Sequence, residues 1–186
     1  MAMMLDQDDK FAPAIHGLIL ISLGRESEGV ADLEQALEFN KNNAELLHWA
    51  GLIISFIGQS EEGVSLINEA IQLDPFNKGY YNALGFSYYL QGQFEDAVEA
   101  FRNIVRAEWT YSQAALAASY SKLGRKEEAR FHADQVARNL AREFRERGEP
   151  VPESICMHCD QVWQDYLPRA GWADSMLDEL RKIGLS

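Results

Sequence analysis

Apolar residues recur at three- and four-residue spacing through most of the chain, the rhythm of amphipathic helices. It is clearest around Leu90-Gln91-Gly92-Gln93, with Tyr81, Leu84, Gly85 and Tyr88 before that tetrapeptide and Ala97, Phe101 and Ile104 after it. The pattern predicts two helices joined by a turn at Gly92, a residue suited to the left-handed backbone that closes a helix. Glu95 and Asp96 then open the second helix, where carboxylates meet the positive end of the helix dipole.

This unit is one of a series. Gly17, Gly24 and Gly29 recur 34 residues later as Gly51, Gly58 and Gly63, and 34 further on as Gly85, Gly92 and Ala97. A shift of 32 then gives Ala117, Gly124 and Ala129. A small residue in the middle of each first helix and another early in each second helix let the two approach closely. Bulky Leu66, Ile67, Phe101 and Ile104 are placed to fill the space beside them, and Pro75 marks a helix end.

The period, the two small contact positions and the closing proline resemble the tetratricopeptide repeat. Leu47, Ala50, Gly51, Ile54, Gly63, Ile67, Ala70 and Pro75 match one full repeat. Tyr81, Leu84, Gly85, Tyr88, Ala97, Phe101 and Ile104 match the next, with Trp109 where proline is usual. The fourth is degenerate, keeping Leu116, Ala117, Tyr120 and Ala129 but carrying Ala133 where an aromatic is usual. The resemblance implies an all-α, right-handed solenoid of about four helix pairs and a protein-binding function. Residues 1–9 are expected to be a tail. Repeats are expected at about 10–43, 44–77, 78–109 and 110–147, with a C-terminal helical extension or cap at 148–186. A narrower resemblance, carried by Asp74-Pro75-Phe76, Tyr81-Asn82-Ala83-Leu84-Gly85 and Leu180-Arg181-Lys182-Ile183-Gly184-Leu185, is to the C-terminal repeat regions of bacterial class III adenylate cyclases. It implies a regulatory module, although the chain has no cyclase catalytic motif.

After the repeats, a long helix is expected from about Lys126 to Arg147, stopped by Gly148 and Glu149-Pro150-Val151-Pro152. Two more should follow, at about Glu153–Tyr166 before Pro168 and at about Ala173–Ile183, the last with a Met176-Leu177-Leu180-Ile183 stripe. Terminal segments of a solenoid commonly cover its exposed apolar face, so these should cap the stack. The alternatives are that they enter the concave groove or mediate a dimer.

First helices line the concave face in this architecture. That turns Glu45, His48, Leu52, Ser55 and Phe56 inward from the second repeat. The third supplies Asn82, Phe86, Tyr89 and Leu90, and the fourth Tyr111, Ala114, Ala118, Ser121 and Lys122. Such an aromatic and apolar surface suits an apolar helix or extended peptide. A clamp for a terminal carboxylate is disfavoured, because the face has almost no cation before Lys122.

Net charge is −12, which argues against general nucleic-acid binding. From Lys122 to Arg147 the balance reverses, with eight basic and five acidic residues. Such a basic stretch could steer a partner, or be a solvated helix face with paired charges. No apolar run is long enough to span a membrane. The N-terminus has no secretory pattern, and the two cysteines fit a reducing cytoplasm. Cys156-Met157-His158-Cys159 is the one local motif with chemical potential. Without a second ligand pair or a redox-type βαβ setting, packing is the favoured role for its thiols and a zinc or redox site the alternative. No nucleotide or hydrolase motif is present. The expectation is a partner-binding protein, with a homodimer through an apolar end or groove as a further expectation, and with no enzyme activity, catalytic residue, metal or cofactor.

Overall fold

The computed structural model describes residues 12–104, 110–166 and 173–185. Every regular element among them is a helix: α1 (Ala12–Ser22), α2 (Glu26–Phe39), α3 (Ala44–Phe56), α4 (Ser60–Leu73), α5 (Tyr80–Leu90), α6 (Phe94–Arg102), α7 (Thr110–Lys122), α8 (Lys126–Arg147), α9 (Ile155–Tyr166) and α10 (Asp174–Lys182). The expected tail at 1–9, Trp109 and Pro168 lie outside the described residues. The chain divides at Ser87, within α5, into two compact parts.

One turn design closes the first helix of each repeat. Gly24, Gly58, Gly92 and Gly124 all have positive φ, between 71° and 97°. The residue after each glycine donates its N–H to a carbonyl five residues back: Arg25 to Leu20, Gln59 to Ile54, Gln93 to Tyr88 and Arg125 to Tyr120, at 2.9–3.1 Å. This satisfies carbonyls that the helix end would otherwise orphan. Each following helix carries acids in its first turn: Glu26 and Glu28, Glu61 and Glu62, Glu95 and Asp96, Glu127 and Glu128. Local sequence therefore dictates both the reversal and the restart.

In the first part, paired helices nest through backbone. A Cβ added at Gly51 would lie 2.6 Å from the Gly63 carbonyl oxygen and 2.8 Å from Ile67 Cγ1. At Gly63 it would collide with the Gly51 carbonyl and Ser55 Oγ. Gly17 and Gly29 repeat the arrangement between α1 and α2, a Cβ on Gly17 falling 2.7 Å from the Gly29 carbonyl. Leu33, Leu46, Ile54 and Ile67 are fully buried around these contacts. Ser55 Oγ lies 2.8 Å from the Gly51 carbonyl and 2.7 Å from Ser87 Oγ, and Ser87 donates to the Ala83 carbonyl. A buried hydroxyl pair is tolerated because both oxygens are engaged.

In the second part, α7 packs on α8 and α10 packs on α7. The α8 helix has the expected bounds and stops at Gly148, φ 71°. On its inner face, Ala129, Val136 and Leu140 are completely covered.

Candidate functional site

The predicted binding face falls into two groups of residues, one in each compact part. In the first, Glu45 is the polar centre. Trp49 Nε1 donates to its Oε1 at 3.0 Å and the Tyr80 hydroxyl to its Oε2 at 3.2 Å. His48 lies against both donors' rings, with centroids 5.0 Å from Trp49 and 5.0 Å from Tyr80. Leu52, Phe56 and Asn82 are half-buried. Phe56 and Phe86 form a tilted ring pair at 6.4 Å. Leu52 and Phe56, seven and eleven residues after Glu45 on α3, form a half-buried apolar strip further along the helix from a carboxylate held in place by two donors.

Two residues expected to face a partner are buried instead. Phe86 is 7% exposed, and Ser55 is 1% exposed because it reaches across to Ser87 rather than outward. Serine on a first helix serves the helix–helix contact here, which sequence spacing alone does not distinguish from a groove position.

Burial holds the His48 imidazole below its ordinary pKa, with Glu45 opposing that effect. His132 and His158 are lowered as well, again chiefly by burial. A histidine whose folded pKa is depressed binds its proton later in the folded state than in the unfolded chain. Its contribution to stability is intact above about 6.5 and is lost as pH falls through the folded value. The thermal midpoint, followed by circular dichroism, should therefore fall between pH 7.5 and 5. Replacing His48 by Gln should flatten part of that fall, and an unchanged slope would mean its protonation is not linked to folding.

In the second part the expected open face is covered by the chain itself. Ala114 and Ala118 are fully buried, and every residue from 114 to 120 is buried. The reason is the placement of α9 and α10. Tyr111 Oη lies 3.1 Å from His158 Nε2 of α9, whose ring also meets Phe144 edge-on at 5.1 Å. Near the other end of α7, Ser121 Oγ donates to Glu179 Oε2 at 2.6 Å, and Lys122 Nζ is 3.4 Å from Glu179 Oε1. Lys182 Nζ completes the seat at 2.7 Å. Burial pushes the Glu179 carboxyl up, but hydrogen bonds from Lys182 and Ser121 and the charges of Lys122 and Lys182 outweigh it, leaving the group below the usual carboxylate range.

Tyr89, the third aromatic expected to anchor a partner, is 4% exposed. It packs edge-on to Phe94 at 5.2 Å. Burial pushes its hydroxyl pKa well up; Ser175 of α10 opposes that and Glu179 adds to it. The hydroxyl nevertheless has no hydrogen-bond partner of ordinary geometry. Sequence spacing singles out neither Glu179 nor Ser175, and brings in His158 only through the Cys156-Met157-His158-Cys159 motif. Glu179 did leave a signal, since it lies three residues after Met176 and beside Leu180, on the apolar stripe.

Cys156 and Cys159 are buried free thiols. Cys156 Sγ donates to the Leu185 carbonyl at 2.5 Å. Burial raises both thiols, that of Cys159 to about 12. Protonated, covered sulfur suits packing rather than nucleophilic chemistry. Among the described residues no three His, Cys, Asp or Glu side chains gather as a metal site, and no helix is long and apolar enough to cross a membrane.

Antiparallel helix pairs repeated at a 34-residue period define an all-α solenoid. Family models described as tetratricopeptide repeat match residues 79–106 and 15–43. Both stretches are therefore tetratricopeptide repeats. No curated protein sequence matches it. Among solved structures, one titled MamA MSR-1 C2 aligns with a TM-score of 0.61 at 22% identity, covering 75% of this chain and 82% of that one. Another MamA crystal structure covers 90% and 91%, at 15% identity and TM-score 0.60. A Thermobaculum terrenum O-GlcNAc transferase mutant aligns at TM-score 0.62 and 21% identity over 74% of this chain, but over 28% of its own length. These likenesses concern the fold. The narrower resemblance to cyclase repeat regions finds no support among the matches.

Proposed function

We propose that the protein is a non-catalytic interaction scaffold that takes a peptide or partner helix on the first-helix face of its repeats. The observation that carries this reading is the half-buried strip at Leu52 and Phe56 on the same helix as the anchored Glu45 carboxylate. An apolar surface and a fixed acceptor on one helix give a docking segment both burial and orientation. Buried thiols and a His48 ring packed at a tilt between Trp49 and Tyr80 support a binding role over a chemical one.

The test is site-specific photocross-linking in cells, with a benzophenone side chain placed at Leu52 or at Gln72. Gln72 is exposed on second helix α4. Adducts with a defined partner are expected from position 52 and not from 72. Equal adducts from both, or none from 52, would remove this face from consideration.

A further inference from the structure

We infer that α10 is a detachable internal ligand of α7, and that the external partner of that face is a helix of the same chemistry: a leucine and methionine stripe interrupted by one carboxylate. The inference rests on the first-helix face being the binding surface, and assigns the class of partner for the second part of the chain.

Two kinds of helix contact occur in the molecule. The α3–α4 pair is joined backbone against backbone at Gly51 and Gly63, with no space even for a methyl group. The α10–α7 contact is built like an interface between separate molecules. Met176, Leu177 and Leu180 bring the bulk and are 0–2% exposed. In their midst Glu179, 5% exposed, takes a hydrogen bond from Ser121 and the charge of Lys122. An apolar centre with one oriented, charge-assisted contact is the composition of a recognition site. The seat is also imperfect, because the buried Tyr89 hydroxyl beside it makes no hydrogen bond of ordinary geometry, only a strained approach to Ser175 of α10. A buried polar group left unmade weakens the contact that covers it. A nine-residue helix is moreover too short to hold its shape alone in water, so it is ordered only while docked. Stability of this kind allows local opening without unfolding of the rest.

An incoming helix of matching pattern would place its own carboxylate between Ser121 and Lys122 and its own stripe against α7. Binding then depends on displacement, and the apparent affinity is reduced by the fraction of molecules whose face is covered.

The test uses the full-length chain and a labelled synthetic peptide of residues 173–185. Hydrogen–deuterium exchange should show α10 amides exchanging at least about tenfold faster than those of α8 around Val136 and Leu140, as local opening requires. A release variant, Met176→Asp with Leu180→Asp, should lose α10 protection, keep that of α7 and α8, and bind the peptide saturably. Wild type should bind it about tenfold or more weakly, since its face is occupied. Adding Lys122→Met to the release variant should weaken the peptide severalfold while leaving α8 protection intact.

Exchange of α10 in step with α8 would overturn the inference, as would a release variant in which α8 also loses protection. Either makes α10 permanent core. Equal binding of the peptide by wild type and release variant would overturn it too, by placing the peptide elsewhere. The cross-link at Leu52 reports the other part of the chain. Adducts there without peptide capture would refute this inference and leave the scaffold reading standing; peptide capture without adducts would do the reverse.

Discussion

Gly63→Ala should lower unfolding free energy by about 3 kcal/mol, at the upper end of what overpacking usually costs. The added methyl would meet the Gly51 carbonyl and Ser55 Oγ. A side chain can turn away, but the carbonyl belongs to the hydrogen-bonded backbone of α3. Relief requires the two helices to separate, and separation opens the contacts of Leu46, Ile54 and Ile67 together. Gly58→Ala is the informative control. Nothing lies within 4 Å of a Cβ there, yet its φ is 97°. Its cost is backbone strain alone, about 1–2 kcal/mol. Denaturant titration of both variants would measure the difference. Equal losses would show that the close approach of α3 and α4 is not what Gly63 supplies.

Ile67→Ala is expected to cost between about 2 and 5 kcal/mol, in the upper half of that range. Ile67 is fully buried and lies against the point where α3 and α4 meet through glycine. A cavity is cheapest where its walls can close in. Here the walls are pinned, since the backbones already touch and cannot move nearer. Phe76→Ala removes a larger side chain, but Phe76 is 89% exposed, so its loss should stay within about 0.5 kcal/mol. The midpoint of urea unfolding, compared for the two variants, decides the matter. A loss for Ile67→Ala close to that for Phe76→Ala would mean the core collapses around the deletion.

The repeat architecture was legible because its determinants are local or periodic. Gly24, Gly58, Gly92 and Gly124 each terminate a helix by a backbone conformation that side chains resist, and the acids after them start the next. The end of α8 at Gly148 was legible for the same reason. The binding face was less so. Ser55 and Leu52 occupy the same helix, three residues apart, and the spacing that turned both inward could not show that Ser55 would meet Ser87. Ala114, Ala118, Tyr89 and Lys122 were assigned correctly to first helices, but their exposure depends on where α9 and α10 return. That return is a long-range event, set by contacts such as Glu179 with Ser121, 58 residues apart. Periodicity carries no information about it.

The alanines of α7 have a consequence for selectivity. At 114 and 118, one turn apart on one face, that helix contributes only methyl groups, so the face is a smooth rail rather than a set of pockets. What fills the space beside it comes from the visitor, as the methionine and leucines of α10 do. Discrimination among visitors would then be written in the size and order of their own side chains, with Ser121 and Lys122 reading a single charged mark. Enlarging one alanine, for instance Ala118→Leu, would change the receptor from a surface that accepts bulk into one that demands a gap.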